Sequence, residues 1–94
     1  ANTVIEAIVR NTPLFINRLR AVEELLGDLY PGFYDDLGHA AALIQDPTVI
    51  QKCHTHLKAI DKTPFDLDHF DREFRKEMTR GPASQSFVLT RSSK

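Results

Sequence analysis

Three Thr/Asp–Pro pairs, Thr12-Pro13, Asp46-Pro47 and Thr63-Pro64, constrain this chain more than any other feature. A side-chain oxygen at the first position can accept an unpaired N–H from a helix's opening turn, and a proline at the second has no N–H to leave unpaired. Each pair therefore predicts a helix start. A fourth start is signalled by Thr3-Val4-Ile5-Glu6, in which Thr is followed three residues on by Glu ahead of the apolar Ile8 and Val9. That pattern predicts a short helix over about residues 4–10, ended by Asn11.

Between these starts the apolar residues recur at helical spacing. Phe15, Leu19, Val22, Leu26 and Leu29 form one stripe, and Phe33, Leu37, Ala40, Ala41 and Ile44 form another. Tyr30-Pro31-Gly32 separates them, because proline disfavours helix in the residue before it and glycine tolerates positive φ. The pair predicts an antiparallel helical hairpin over residues 12–45. Val49, Ile50, Cys53, Leu57 and Ile60 supply a further helix, and Leu67, Phe70, Phe74 and Met78 the last. That last helix carries Asp66 at its start and Arg75, Lys76 and Arg80 near its end, before Gly81-Pro82. The expected fold is all-α: a compact bundle of four main helices plus a short N-terminal helix. Residues 1–82 form the helical domain and residues 83–94 a flexible or extended tail. Serines dominate the tail, but Phe87-Val88-Leu89 gives it an apolar triplet that an extended, docked segment would use.

With 94 residues the chain fits one domain, and 12 Lys plus Arg against 13 Asp plus Glu leave a net charge of −1. That balance argues against a wholly basic nucleic-acid wrapper. The single cysteine, Cys53, excludes an intrachain disulfide. No apolar run is long enough to span a bilayer and no charged-then-apolar leader is present, so a soluble, cytoplasmic protein without membrane contact is expected.

Chemistry-bearing motifs are weak. Cys53-His54-Thr55-His56 invites a metal or haem, yet residues two apart on a helix project about 200° apart and cannot share one ion. Cys53 lies on the apolar stripe, where a small core residue is the simpler reading. His39 with Asp35 and His69 with Glu73 stand four apart, a spacing that serves solvated helix pairs as readily as a partial metal or acid–base site. The Asp66–Glu73 segment lacks the glycine a calcium loop needs. Gly27, Gly32, Gly38 and Gly81 are scattered and cradle no phosphate. No nucleophile constellation appears, and neither an enzyme nor a resident cofactor is expected.

Charge layout says more. Residues 21–51 hold six acids, Glu23, Glu24, Asp28, Asp35, Asp36 and Asp46, and no Lys or Arg. The stretch from Arg75 to Lys94 is basic apart from Glu77. Phe33 and Tyr34 are adjacent and, on a helix, cannot both face one core. The expected function is a non-enzymatic protein–protein interaction module, a small regulatory, adaptor or inhibitor protein. It would bind a partner with a basic surface, or a second copy as a homodimer, through an acidic–aromatic hairpin made of Tyr30, Phe33, Tyr34, Asp35 and Asp36. The alternative from another class is a phosphate-contacting patch of Arg18, Arg20, Arg75, Lys76 and Arg80 that binds nucleic acid. Residues 33–45 make a poor groove reader, since they bear two acids and no base-reading Arg or Lys.

Overall fold

The structure, a computed structural model, describes residues 3–63, 66–79 and 88–91. Over these the chain forms α1 (Thr3–Val9), β1 (Leu14–Asn17), α2 (Arg20–Leu26), β2 (Phe33–Tyr34), α3 (Leu37–Ile44), α4 (Pro47–Ala59), α5 (Leu67–Met78) and β3 (Leu89–Thr90). The all-α expectation is overturned: helices surround a three-stranded mixed sheet of order β2-β1-β3. The helical hairpin expected over residues 12–45 does not form, and each of its halves opens with a strand.

The error lies at Thr12-Pro13. Leu14, Phe15 and Ile16 are all 0% exposed, so side chains on opposite sides of the segment are buried alike. A helix with one apolar stripe cannot do this, whereas a central strand covered on both faces can. β1 pairs in parallel with β2, Ile16 opposite Phe33 and Asn17 opposite Tyr34. On its other edge it pairs antiparallel with β3, Leu14 opposite Thr90 and Phe15 opposite Leu89. Proline suits the position just before β1, where the ladder has not begun and a missing N–H costs little. The Pro13 carbonyl still accepts the Arg91 N–H at 3.1 Å.

Tyr30 extends the ladder where β2 has not yet begun. Its hydroxyl accepts the Leu14 N–H at 3.0 Å and donates to the Leu14 carbonyl at 2.7 Å. Two residues on, the Ile16 N–H reaches the Gly32 carbonyl at 3.2 Å. A Cβ at Gly32 would overlap the Leu14 carbonyl oxygen and the Tyr30 ring, so only glycine lets the chain pass this close to β1.

The helix ends follow local chemistry. α1 stops at Asn11, whose φ of 58° is left-handed. The Asn11 N–H bonds to the Ile8 carbonyl and the Thr12 N–H to the Ala7 carbonyl, which satisfies two of the helix's terminal acceptors. α2 stops at Gly27, at φ 86°. Leu29, expected on a buried stripe, is therefore outside the helix and 84% exposed. α3, α4 and α5 begin at Asp36, Asp46 and Asp66, whose carboxylates accept from the backbone N–H groups of His39, Thr48 and His69. Ile50, Cys53 and Leu57 form the buried stripe of α4. On α5 Phe70 alone of the apolar series is fully buried, with Phe74 stacked on it at 5.7 Å.

The helices and sheet share one continuous core, in which Val4, Ile8, Phe15, Val22, Tyr30 and Leu57 are among the buried side chains. α2 packs on α5, α3 on α4 and on β2, and α1 on β1. Of the two forms expected for the tail, residues 88–91 take the extended, docked one. Pro64, Phe65, Arg80, Gly81-Pro82 and Phe87 lie outside the described residues, as does the boundary between residues 82 and 83. No helix among the described residues is long and apolar enough to cross a membrane.

Candidate interaction surface

The five residues expected to form the binding face separate into two groups. Tyr30, Phe33 and Tyr34 are 2%, 7% and 3% exposed: they are core, and their rings offer nothing to a partner. On a helix Phe33 and Tyr34 would point about 100° apart; as strand residues beside β1 both are covered. Tyr30 meets Phe33 edge-on at 5.5 Å and His56 edge-on at 5.2 Å, favourable aromatic geometry that fixes its hydroxyl under Leu14.

Asp35 and Asp36 remain at the surface. Asp36 is committed to the α3 start, its Oδ1 accepting the His39 N–H at 2.8 Å. The Asp35 side chain is 92% exposed, with Oδ2 3.7 Å from His39 Nδ1. That contact is not an ion pair in this arrangement, because Nδ1 accepts the Asp35 backbone N–H at 3.1 Å and so carries a lone pair there. Asp35 therefore keeps its charge for solvent or a partner.

Beside these acids stand two apolar residues whose exposure the sequence did not reveal. Leu29 sits on the turn after α2, and Leu37, 58% exposed, is the first residue of α3. They bracket β2, one before the anchored Tyr30 and one after the capping Asp36. Asp28, adjacent to Leu29, is exposed as well. The exposed Leu29 and Leu37 are thus each next in sequence to an exposed acid, Asp28 and Asp36, in a stretch from residue 21 to 51 that holds no Lys or Arg.

The basic residues of the alternative reading are largely engaged. Arg18 Nη1 reaches Glu23 at 3.2 Å and the Asp28 carbonyl at 2.9 Å, and its guanidinium lies 4.6 Å above the Phe33 ring. Arg75 pairs with Asp71 at 2.8 Å and Lys76 with Glu73 at 3.0 Å. Arg20 is exposed at the start of α2, while Arg80 lies outside the described residues. These exposed pairs partly neutralise the charge a phosphate would meet without using every donor of Arg75 or Lys76.

The histidines do not converge. His54 Nδ1 donates to the Asn11 carbonyl at 2.8 Å and His56 Nε2 to the Leu26 carbonyl at 2.7 Å, so the two rings tie α4 to the turn after α1 and to the end of α2. Among the described residues no three His, Cys, Asp or Glu side chains gather as a metal ion requires. Cys53 is 0% exposed. Burial, only partly offset by the neighbouring Tyr30 hydroxyl, pushes its thiol up to about 11, far from the activated range of a nucleophile. A shallow cavity of about 240 Å³ lies elsewhere, lined by Thr3, Glu6, Ala7, Arg10, Thr12 and Thr90. Compared with protein-family models, curated proteins and solved structures, the chain matches none.

Proposed function

We propose that this chain is a non-enzymatic protein–protein interaction module, of regulatory, adaptor or inhibitor type, that engages a basic protein surface through Leu29, Leu37, Asp28, Asp35 and Asp36. The observation that carries the reading is the exposure of Leu29 at 84% and Leu37 at 58% within a stretch free of Lys and Arg. Exposed leucines gain free energy when a partner removes them from water, at roughly 25 cal/mol per Å² of apolar surface. Surrounding carboxylates select a basic partner and speed encounter more than they add affinity. Their neighbours Tyr30 and Asp36 are held by hydrogen bonds, so binding costs chiefly the rotamer freedom of the leucine side chains.

The test uses the full chain as bait in extract from its own source, beside a Leu29→Ser/Leu37→Ser variant and an Asp35→Asn variant of equal helicity. The expected result is one protein retained by the wild-type chain, lost by the leucine variant, and captured more slowly by Asp35→Asn with a weaker dependence on salt. Capture that is equal for all three would sink the assignment of this face, and captured nucleic acid would sink the protein-partner reading.

A further inference from the structure

His39 takes part in two hydrogen bonds of opposite sense within one turn. Its backbone N–H goes to the Asp36 carboxylate that caps α3, and its ring turns back on the residue before that cap. There Nδ1 accepts the Asp35 N–H at 3.1 Å, with Asp35 Oδ2 3.7 Å away. A backbone N–H held in this way depends on the lone pair of the ring nitrogen. Histidine is the side chain that ordinarily takes up a proton between about pH 8 and 5, and in this arrangement the open position for that proton is Nδ1. Once Nδ1 carries hydrogen, two donors face each other and the contact must open.

An acceptor for the new N–H is at hand in the Asp35 carboxylate. The His39 side chain is 41% and the Asp35 side chain 92% exposed, so closing the 3.7 Å gap moves atoms at the surface. A charge-assisted bond then replaces a neutral one. α5 supplies the contrast: His69 holds the same third position behind its cap, its N–H on Asp66 Oδ1 at 2.9 Å, but residue 65 is Phe and brings no carboxylate.

Around α3 the charged groups that meet the ring are Asp35 and Asp36. β1 has no titratable residue within Leu14–Asn17, and β2 brings Tyr34, which is buried. On α4, His54 and His56 are engaged with the Asn11 and Leu26 carbonyls, Cys53 is buried, and Lys52 and Lys58 are exposed. Among the described residues neither lysine forms an ion pair with α3. Arg91 meets α3 at its opposite end, on the Ile44 carbonyl at 3.0 Å.

We infer that His39 is a proton-operated switch in the turn between β2 and α3. Neutral, it holds the Asp35 N–H and leaves the Asp35 carboxylate free; protonated, it releases the N–H and pairs with that carboxylate. The charge that Asp35 presents two residues before Leu37 is thereby set by pH. What this does to partner binding rests on the function proposed above: a basic surface meets one free carboxylate fewer at acid pH.

The test needs no partner, so its failure and the failure of the proposed function are separate results. Nuclear magnetic resonance of the full, isotope-labelled chain follows the His39 ring nitrogens, the Asp35 backbone amide and the Asp35 carboxyl carbon from pH 8 to pH 5. At pH 8 the ring is expected with its proton on Nε2 and none on Nδ1. As the ring titrates, the Asp35 amide proton is expected to move upfield, as an amide does on losing its acceptor, and the carboxyl carbon to shift with the same midpoint. In His39→Gln the Asp35 amide is expected to stay constant over this range. A proton on Nδ1 at pH 8, or an Asp35 amide that holds still while His39 titrates, overturns the switch. A carboxyl carbon that does not respond overturns the pairing with Asp35, and an amide that titrates in His39→Gln as in wild type assigns the shift to another group and overturns the role of His39.

Discussion

The Glu77 carboxylate, on the last turn of α5, accepts the backbone N–H of Arg20 at 2.7 Å, fifty-seven residues away, and with its other oxygen the N–H of Ala21 at 2.5 Å. Both donors belong to the first turn of α2, whose N-cap residue Leu19 has no side-chain acceptor to offer. The cap that a local Ser or Asp usually supplies thus comes from another helix, and it fastens α2 to α5. An anion at this end also meets the positive pole of the helix dipole. Glu77→Ala should lower stability by about 1–2 kcal/mol, with Glu77→Gln intermediate because the amide oxygen still accepts one N–H. Urea denaturation of the two variants checks this. Equal stability of wild type and Glu77→Ala would show that water replaces the carboxylate without loss.

Such a contact leaves no trace at short range in the sequence, and this separates what was legible from what was not. The end of α1 at Asn11, the start of α4 at Asp46-Pro47 and the buried Ile50–Cys53–Leu57 stripe rest on neighbours within four residues. The sheet does not: Leu14-Phe15-Ile16 is compatible with a buried strand or with part of a helix, and its partners lie 17 and 74 residues further on. With Leu14-Phe15-Ile16 read as helix, Tyr30, Phe33 and Tyr34 are surplus aromatics free for a partner; with it as a strand, they complete the core. Asp35 was legible as a surface acid because an unpaired carboxylate is costly to bury. The exposure of Leu29 was not, since its spacing matched a stripe that Gly27 interrupts.

Tyr30 fastens β1 through a single oxygen. Tyr30→Phe keeps the ring contacts with Phe33 and His56 but leaves the Leu14 N–H and carbonyl unpaired in a buried site. The expected loss is about 1–3 kcal/mol, the cost of an unsatisfied buried polar group, with the far-ultraviolet spectrum unchanged. Hydrogen exchange at Leu14 should accelerate more than exchange at Ile16, whose partner is the Gly32 carbonyl. Acceleration spread evenly over the core would mean that the hydroxyl acts on overall stability and not on the end of β1.

Asn11 holds a left-handed conformation, and its side-chain Oδ1 is buried without a hydrogen-bond partner. Glycine adopts this φ without strain and removes the orphaned oxygen, so Asn11→Gly should be neutral or slightly stabilising. A β-branched residue adds Cβ crowding at positive φ, and Asn11→Val should cost about 1–2 kcal/mol. Melting temperatures in the order Gly at or above Asn, then Val, are the check; the reverse order would show that the asparagine amide has a role at this turn beyond its backbone.

Cys53 and Tyr30 give the protein an alkaline limit. Burial raises the Cys53 thiol from 9.0 to about 11, and burial, reinforced by Cys53, raises the Tyr30 hydroxyl above its ordinary value of 10.0. For both groups the unfolded chain gives up its proton first, so above pH 9 the unfolded state binds fewer protons than the native one. Stability from the thiol is complete below pH 9 and falls as pH rises toward 11. Thermal midpoints should be flat with respect to these groups between pH 7 and 8.5, then decline, with Tyr30 extending the fall beyond the range of the thiol. Cys53→Ala removes the first part of that slope and leaves the second. Thiol labelling at pH 8 should track opening of the α4 face, remaining slow in native buffer and becoming rapid in denaturant. A native chain that labels as fast as a free thiol would place Cys53 outside the core and remove the basis for the alkaline slope.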